Sequence, residues 1–240
     1  MSAPEIQVQN PDDPGMGHGS FGWRVDEPTK FYSAPADRNK VVILPTIVSR
    51  LADENDGLVL ECGSGSGQHM AALAPQLPKL RFQPSEYEGH PNPRANRQDV
   101  DKIKGSIAAY CGNIPNVLPP ITLDATALAT STVAAGLSAV IAINIIHVSP
   151  PVVMDGLISG AGTKLKPGGW LFFYGPFMRD GVITGEGNQK FQASLQALNP
   201  EYSLRDIAVI KAKGSSNGLE LVEEVYHEAS NNYLLCLQKQ

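Results

Sequence analysis

The sequence predicts an α/β fold, with helices on both faces of a mostly parallel sheet of seven strands. Apolar runs of strand length alternate with segments of helical periodicity along most of the chain. The run 137–143 is almost wholly apolar, as expected for a strand that is covered on both faces. Two strand-like runs near the end of the chain, 219–226 and 233–237, are separated by a short polar turn and predict an antiparallel hairpin.

The elements follow one another in the order that such a sheet requires. A helix is predicted over 37–51, with Asp37 as its cap, and Pro45 is expected to kink or break it. The run 58–61 predicts a strand, and a glycine-rich turn then leads into a helix over 68–77. Further strands are predicted at 80–84, 121–124, 137–143 and 170–174, and further helices at 99–110 and 152–165.

Composition limits both the size of the fold and the class of function. The chain has 240 residues, of which 42% are hydrophobic, enough for one large domain or two small ones. The formal net charge is −5 and no basic run is present, so neither nucleic acid nor an anionic membrane surface is an expected partner. Three widely spaced cysteines, Cys62, Cys111 and Cys236, argue against a disulfide framework and indicate a cytoplasmic protein.

Three segments need an interpretation of their own. Residues 1–30 are mainly polar, without the apolar run of a signal peptide, and are expected to form a mobile tail or a lid on a single domain over 31–240. The apolar stretch 134–154 is interrupted by polar residues and two prolines, which favours a central strand with its loop over a membrane span. The segment 89–97 is predicted to be a surface loop.

The most informative segment is Glu61-Cys62-Gly63-Ser64-Gly65-Ser66-Gly67, where a predicted strand meets a helix. Glycines at such a turn let a ligand approach the backbone closely. The dinucleotide fingerprint needs a glycine where Gln68 stands, and no Gly-Lys-Ser/Thr follows, as a phosphate-binding loop requires. Neither a dinucleotide nor a nucleoside triphosphate is therefore the favoured ligand.

The spacing acid-x-Gly-x-Gly-x-Gly instead resembles the first motif of Rossmann-like, class I S-adenosylmethionine-dependent methyltransferases. That resemblance implies an acid for the ribose hydroxyls at the end of the next strand, where Glu86 stands, and another near the adenine, where Asp124 stands. Each acid has an alternative role as a helix cap. The cofactor-binding residues that the resemblance implies are Arg38, Asn39, Glu61, Gly63, Ser64, Gly65, Gly67, Glu86, Asp124, Ala125 and Asn144.

Several further segments resemble the methyltransferase-like twenty-six family, long described as a domain of unknown function. They include Asp37-Arg38-Asn39-Lys40, Gln83-Pro84-Ser85-Glu86, the run 143–150 and Tyr174-Gly175-Pro176-Phe177, and the resemblance spans residues 31–240. The sequence departs from the usual residues of that family at Asp37, Cys62, Gly63, Glu86, Gly187 and Gln192. The changes at Gly187 and Gln192 fall where a substrate site is expected, so the resemblance implies a fold and a cofactor but no substrate.

Candidate catalytic residues follow the fourth and fifth predicted strands. Methyl transfer is an in-line displacement in which the protein mainly positions the two reactants. His147 is the preferred base, because its ordinary pKa of about 6.5 suits proton acceptance near neutral pH; a structural histidine is the alternative. Asn144 is expected to orient the cofactor or the substrate, and Tyr174 either lines the acceptor pocket or belongs to the core. No side-chain set resembles a metal site, so no metal is expected.

The expected function is S-adenosylmethionine-dependent methyl transfer to an oxygen, nitrogen or sulfur atom of a small molecule. Two alternatives remain at this stage: a protein methyltransferase, and a non-catalytic S-adenosylmethionine-binding protein that regulates or stabilises a partner. The sequence predicts neither the identity of the acceptor nor the oligomeric state.

Overall fold

The computed structural model describes residues 23–27, 30–89 and 100–240. The strands are β1 (Trp23–Glu27), β2 (Lys30–Ser33), β3 (Leu58–Cys62), β4 (Arg81–Glu86), β5 (Ile121–Thr122), β6 (Leu137–Ile143), β7 (Leu165–Gly175), β8 (Phe177–Arg179), β9 (Val182–Ile183), β10 (Arg205–Asp206), β11 (Leu219–His227) and β12 (Asn232–Lys239). The helices are α1 (Ala34–Leu51), α2 (Gln68–Leu73), α3 (Val100–Cys111), α4 (Pro151–Lys164), α5 (Glu186–Leu198) and α6 (Ile207–Ser216).

Seven of these strands form one sheet in the order β11-β12-β7-β6-β3-β4-β5. Neighbours from β7 to β5 are parallel, whereas β12 is antiparallel to both β7 and β11. The prediction of a seven-stranded, mostly parallel sheet with a C-terminal antiparallel hairpin is confirmed. Because β12 lies antiparallel between β7 and β11, those two strands run in the same direction. His227, the last residue of β11, therefore lies at the sheet edge where β3, β6 and β7 also end.

Alternate residues of the central strands supply two apolar clusters, one on each face of the sheet. On β6, Val140 packs in the cluster that contains Leu157 of α4, and Ile141 packs in the cluster that contains Ile43 of α1 and Ile107 of α3. All five side chains are fully buried, and burial of such a side chain contributes roughly 1.5–3 kcal/mol. The predicted helices on both faces are therefore confirmed.

Helix α1 begins earlier than predicted and is not broken at Pro45. It starts at Ala34, because Ser33 rather than Asp37 is the cap: the Ser33 hydroxyl accepts a hydrogen bond from Ala36 N at 3.3 Å. Of the kink or break predicted at Pro45, the break is wrong, since the helix continues to Leu51; the kink stays a prediction. Proline leaves the carbonyl four residues earlier without its helical donor, and at that position Val41 is 69% exposed, so water can bond the carbonyl instead.

A small cap that the sequence analysis did not predict lies beside the end of β6. Strands β8, β9 and β10 form a three-stranded sheet, and α5 follows β9. The cap has its own apolar cluster, in which Leu195 of α5 packs with Tyr202, Leu204 and Val148. Val148 belongs to the loop after β6, so this cluster fixes the cap to that loop.

The remaining predictions concern loops. Residues 166–169 form a loop that interrupts the pairing of β6 with β7. The pairs on either side of this loop are Leu165 with Leu137 and Trp170 with Ala139. Residues 134–154 contain the predicted central strand β6, and within the three described ranges no helix has the length and apolarity to cross a membrane. Most of the predicted loop 89–97 and of the predicted tail 1–30 lies outside the described residues. Of the tail region, β1 pairs with β2 in an antiparallel ribbon.

Candidate active site

The glycine loop between β3 and α2 has a backbone that only glycine adopts readily. Gly63, Gly65 and Gly67 have φ values of 67°, 57° and 93°, in the left-handed region. A Cβ at Gly63 would lie 2.5 Å from the Ile145 side chain, and one at Gly67 would lie 2.8 Å from Cα of Ile107. The glycines therefore allow both the turn and the close approach of α3 and of the loop after β6.

We expect Gly67→Ala to lower the free energy of unfolding by roughly 1–3 kcal/mol more than Gly136→Ala does. Both glycines have positive φ, 93° and 83°, so both variants share that strain. Only at Gly67 does the added Cβ meet another backbone segment, because nothing lies within 4 Å of such an atom at Gly136. Urea denaturation of the two variants measures the difference. Equal losses would show that α3 moves away from the loop without cost.

Three acids lie at the carboxyl ends of the adjacent strands β3, β4 and β5, as predicted. Glu86 accepts hydrogen bonds from Gly65 N and Tyr87 N, both at 3.0 Å. Asp124 is exposed and accepts from Thr126 N at 2.9 Å, capping the 3-10 helix Ala125–Thr130. The alternative role of a helix cap is therefore present at Asp124, and its contact with an adenine stays a prediction.

Glu61 differs from the other two acids because it is buried without hydrogen bonds. Its side chain is 1% exposed, and neither carboxylate oxygen has a hydrogen-bond partner among the described residues. The nearest basic group is Nδ1 of His69, 3.6 Å from Oε1. His69 is itself 8% exposed, so it is a buried residue at the start of α2. A buried carboxylate in this state is a strong site for a cationic ligand group, since isolated buried charges are costly.

Gln68 joins the glycine loop to the start of α1. Its side-chain oxygen accepts from Ser33 N at 2.6 Å and from the Ser66 hydroxyl at 2.9 Å, and its amide group donates to Asp37 at 3.5 Å. The Ser106 hydroxyl of α3 donates to Ser66 O at 3.0 Å. Sequence reasoning used Gln68 only to exclude a dinucleotide. The structure shows that it fixes the first turn of α1 against the loop.

Ser64 and Cys62 complete the loop without offering a reactive group. Ser64 N donates to Ser85 O at 2.8 Å, and the Ser64 hydroxyl accepts from Ser85 N at 3.2 Å, so this residue ties the loop to β4. Burial, followed by the charge of Glu61, raises the pKa of Cys62 to about 12. Its thiol stays protonated at neutral pH and is a poor nucleophile.

Asn39, on α1, contacts Tyr174 at the end of β7, and its predicted contact with a cofactor stays a prediction. It is buried, and its side-chain oxygen accepts a hydrogen bond from the Tyr174 hydroxyl at 3.3 Å. That hydroxyl in turn accepts from the Asn232 amide at 3.2 Å. Tyr174 is 2% exposed, so it is buried, and its hydroxyl joins the start of α1 to β12; its contact with an acceptor stays a prediction. Arg38 is exposed, and its contact with a cofactor stays a prediction.

Asn144 and His147 lie on the loop after β6. Their side chains come close together beside Gly175, the last residue of β7. Asn144 has a φ of 57°, and its backbone N–H donates to Tyr174 O at 2.8 Å. A Cβ on Gly175 would lie 3.0 Å from His147 Nδ1 and 3.3 Å from Asn144 Oδ1, so glycine leaves room for both. Within the described chain His147 Nδ1 is buried without a hydrogen-bond partner. Burial, followed by the charge of Arg205, lowers the pKa of His147 to about 3.

Arg205 and Asp206 have structural roles beside the loop after β6. Arg205 donates to Ile146 O at 2.9 Å and to Ser149 O at 2.6 Å, which fixes the loop that carries His147. Asp206 caps α6 by accepting from Ala208 N at 2.8 Å. Asp206 therefore marks the start of α6.

His227 lies beside Tyr174, and the sequence analysis did not single it out. Its ring lies 6.0 Å from the Tyr174 ring, and its Nε2 is buried with no hydrogen-bond partner in the ranges that the structure covers. The available signal was a histidine at the end of a predicted strand. Sequence alone does not show that β11 runs parallel to β7, which is what places this residue at the edge of the sheet where β7 ends.

Solved methyltransferase structures share this architecture. A putative O-methyltransferase from Nostoc punctiforme has a TM-score of 0.65 at 14% identity, over 85% of this chain and 56% of that one. A putative sarcosine dimethylglycine methyltransferase from Galdieria sulphuraria gives 0.64 at 10%, over 88% and 92%. Human N-acetylserotonin methyltransferase, in complex with SAM, gives 0.61 at 10%, over 85% and 54%. This chain therefore spans little more than half the length of the Nostoc and human proteins.

The fold is that of the Rossmann-like methyltransferases, with the glycine loop and the strand-end acids at the carboxyl edge of the sheet. A family model described as "Protein of unknown function (DUF938)" matches residues 30–239. The chain belongs to that family.

Proposed function

We propose that this protein binds S-adenosylmethionine and catalyses methyl transfer to an oxygen, nitrogen or sulfur atom of a small molecule. The observation that carries the proposal is Glu61, whose two carboxylate oxygens are buried without a hydrogen-bond partner in the described chain, directly before the glycine loop. An ammonium group is the natural partner for such a carboxylate. S-adenosylmethionine has an ammonium group, two ribose hydroxyls and an adenine, so one ligand matches Glu61 and the acids on the next two strands.

The residues that would hold this cofactor lie on three neighbouring strands. Glu61 would bind the ammonium group. The backbone of the glycine loop would lie close to the ligand at Gly63, Ser64, Gly65 and Gly67. Glu86, already held by two backbone amides, would use its remaining lone pairs for the ribose hydroxyls. Asp124 and Ala125 would border the adenine. Arg38, Asn39 and Asn144 stay predicted cofactor residues.

The bound cofactor supplies a methyl group on a positively charged sulfur, which is already activated for displacement. The chain's own task is to position the acceptor and to exclude water. Asn144, His147 and Tyr174 are the proposed acceptor-side residues. His147 remains neutral above about pH 3 because burial and Arg205 oppose its charge, so we propose that it acts through the lone pair of its unpartnered Nδ1.

Calorimetric titration tests the proposal directly. We expect purified wild-type protein to bind S-adenosylmethionine and S-adenosylhomocysteine but not NAD. Glu86→Ala should lower the affinity for both adenosyl ligands by roughly 1.5–3 kcal/mol, the range for hydrogen bonds to a charged group. No binding of either adenosyl ligand by the wild type would refute the proposal. Binding without turnover of any nucleophile would favour a non-catalytic, partner-regulating protein.

Several finer predictions accompany this proposal. Small-molecule acceptors are favoured over nucleic acid because the net charge is −5. A cytoplasmic location, the closer resemblance to the methyltransferase-like twenty-six family and the absence of a membrane partner also stay predictions.

A further inference from the structure

Two neighbours contact the ring of His147, which is 3% exposed. The first is the backbone of Gly175, where a Cβ would lie 2.9 Å from Cε1 and 3.0 Å from Nδ1 of the imidazole. The second is Phe191 of α5, whose ring centroid lies 5.5 Å from that of His147, with the two ring planes at 73°. Aromatic rings attract one another in this edge-to-face arrangement, so the contact with Phe191 favours one orientation of the imidazole.

Phe191 is itself fixed by the cap. It packs against the apolar cluster of the cap, which contains Leu195 of the same helix. The side-chain oxygen of the next residue, Gln192, accepts a hydrogen bond from Leu204 N at 2.8 Å, which ties α5 to the segment before β10. The Phe191 ring therefore cannot turn away from His147 unless these contacts break.

The cap also fixes the backbone on both sides of His147. Arg205 of β10 donates hydrogen bonds to Ile146 O at 2.9 Å and to Ser149 O at 2.6 Å. Ile146 directly precedes His147, and Ser149 lies two residues after it. The cap therefore acts on His147 twice, through the backbone by way of Arg205 and through the ring by way of Phe191.

Packing, rather than an ionic partner, sets the orientation of this ring. Within the described ranges no carboxylate pairs with His147, and its Nδ1 is buried without a hydrogen-bond partner. Arg205 is the charged group that acts on the ring, and after burial, the larger cause, it lowers the pKa of His147. On α5 the exposed Glu186 and Lys190 pair with each other at 3.8 Å, and near the end of β7 the Tyr174 hydroxyl has two partners of its own.

We propose that Phe191 is the positioning residue of His147: its ring holds the imidazole in one orientation, with Nδ1 beside Gly175 and Asn144. The inference rests on the proposed function for the task of His147, and it gives the cap a part in that function. Without the Phe191 ring, the imidazole is free to rotate and water can reach it, because no hydrogen bond to Nδ1 and no ion pair restrains it. Misplacement of a reacting group by about 1 Å can lower a rate roughly a hundredfold, so a fixed ring matters for transfer.

Nitrogen-15 spectra of the histidine-labelled full chain, without ligand and near neutral pH, test the inference. The signals of His147 are assigned by their loss in a His147→Gln variant. We expect the wild-type protein to show one neutral tautomer, with the proton on Nε2 and the lone pair on Nδ1. Phe191→Leu keeps an apolar side chain but removes the ring, so the two nitrogen signals should move towards each other as the tautomers mix. Phe191→Tyr keeps the ring and should keep the wild-type spectrum.

Ile183→Ala is the matched control. Ile183 packs against the same apolar cluster from β9, so its truncation should lower the free energy of unfolding in urea and leave the His147 signals unchanged. Equal changes of those signals in Ile183→Ala and Phe191→Leu would reveal a general loosening of the cap and would overturn the inference. A Phe191→Leu spectrum identical to that of the wild type would overturn it as well.

A second readout needs no variant. Nuclear Overhauser contacts between the ring protons of Phe191 and the Cε1 proton of His147 are expected in the wild-type protein, and their absence overturns the inference. Calorimetry with S-adenosylhomocysteine separates the inference from the proposed function. Phe191→Leu should bind this ligand as tightly as the wild type does, and weaker binding would assign Phe191 to the cofactor site instead. A wild-type protein that does not bind it refutes the proposed function, whereas the spectra of the free protein still decide whether Phe191 positions His147.

Discussion

Replacing Glu61 with glutamine should make the free protein more stable and should weaken its binding of S-adenosylmethionine. Glu61 is 1% exposed, and its two carboxylate oxygens have no hydrogen-bond partner in the described residues. Glutamine keeps the shape and removes the buried charge, so we expect the free energy of unfolding to rise by roughly 1–3 kcal/mol. Loss of the carboxylate opposite a ligand ammonium should weaken binding by roughly 2–5 kcal/mol.

Glu54→Gln is the matched control. The Glu54 carboxylate accepts a hydrogen bond from the Ser138 hydroxyl at 3.0 Å and pairs with Lys166, so it already has partners. Its replacement should destabilise the protein slightly and leave cofactor affinity unchanged. Urea denaturation and calorimetry measure the two quantities for each variant. A Glu61→Gln protein that is less stable than the wild type would show that the carboxylate serves the fold, as a helix cap does, rather than a ligand.

The two substitutions are expected to change the free energy of unfolding in opposite directions, and one physical difference between the two acids explains this. A partnered carboxylate contributes to folding, whereas an unpartnered one is tolerated at a cost that binding relieves. Stability lost at a site of this kind is typical of functional residues. The sequence shows both residues as glutamates and cannot distinguish them, because the partners of Glu54 come from the distant strands β6 and β7, and no described residue supplies a hydrogen bond to Glu61.

The sheet was predictable because its strands are local patterns. The run predicted as a strand at 137–143 coincides with β6, since apolar residues almost throughout suit only a strand covered on both faces. The glycine loop was predictable for the same reason. Its backbone needs positive φ values at Gly63, Gly65 and Gly67, and glycine is the residue type that adopts them readily. The positions of the acids on β3 and β4 were predictable because each acid stands where a predicted strand ends.

The contacts around Tyr174 were not predictable, because they join distant parts of the chain. Its hydroxyl donates to Asn39, 135 residues earlier, and accepts from Asn232, 58 residues later. The position of His227 near Tyr174 depends on the direction of β11, which only the order of strands in the sheet reveals. The cap was missed because β8, β9 and β10 have three, two and two residues, too few to show a period of two.

Acid should destabilise the wild-type protein more than a His147→Gln variant. Burial, followed by the charge of Arg205, lowers the pKa of His147 to about 3 in the folded protein, from an ordinary value of 6.5. Between these values the unfolded chain binds a proton that the folded chain does not. The stability that His147 contributes is therefore complete above pH 6.5 and is lost as the pH falls, by about 1.4 kcal/mol per pH unit.

The measurement is the free energy of unfolding from urea denaturation, for both proteins, from pH 8 down to pH 4. Other titrating groups are common to the two proteins, so the difference between the curves isolates His147. We expect a constant difference above pH 6.5 and a widening one below it, in favour of the variant, of roughly 3 kcal/mol by pH 4. Parallel curves would mean that the folded protein accepts the imidazolium, which would restore His147 as a proton-accepting base. Divergent curves would mean that His147 stays neutral at working pH, and that an acceptor must lose its proton to another group or arrive without one.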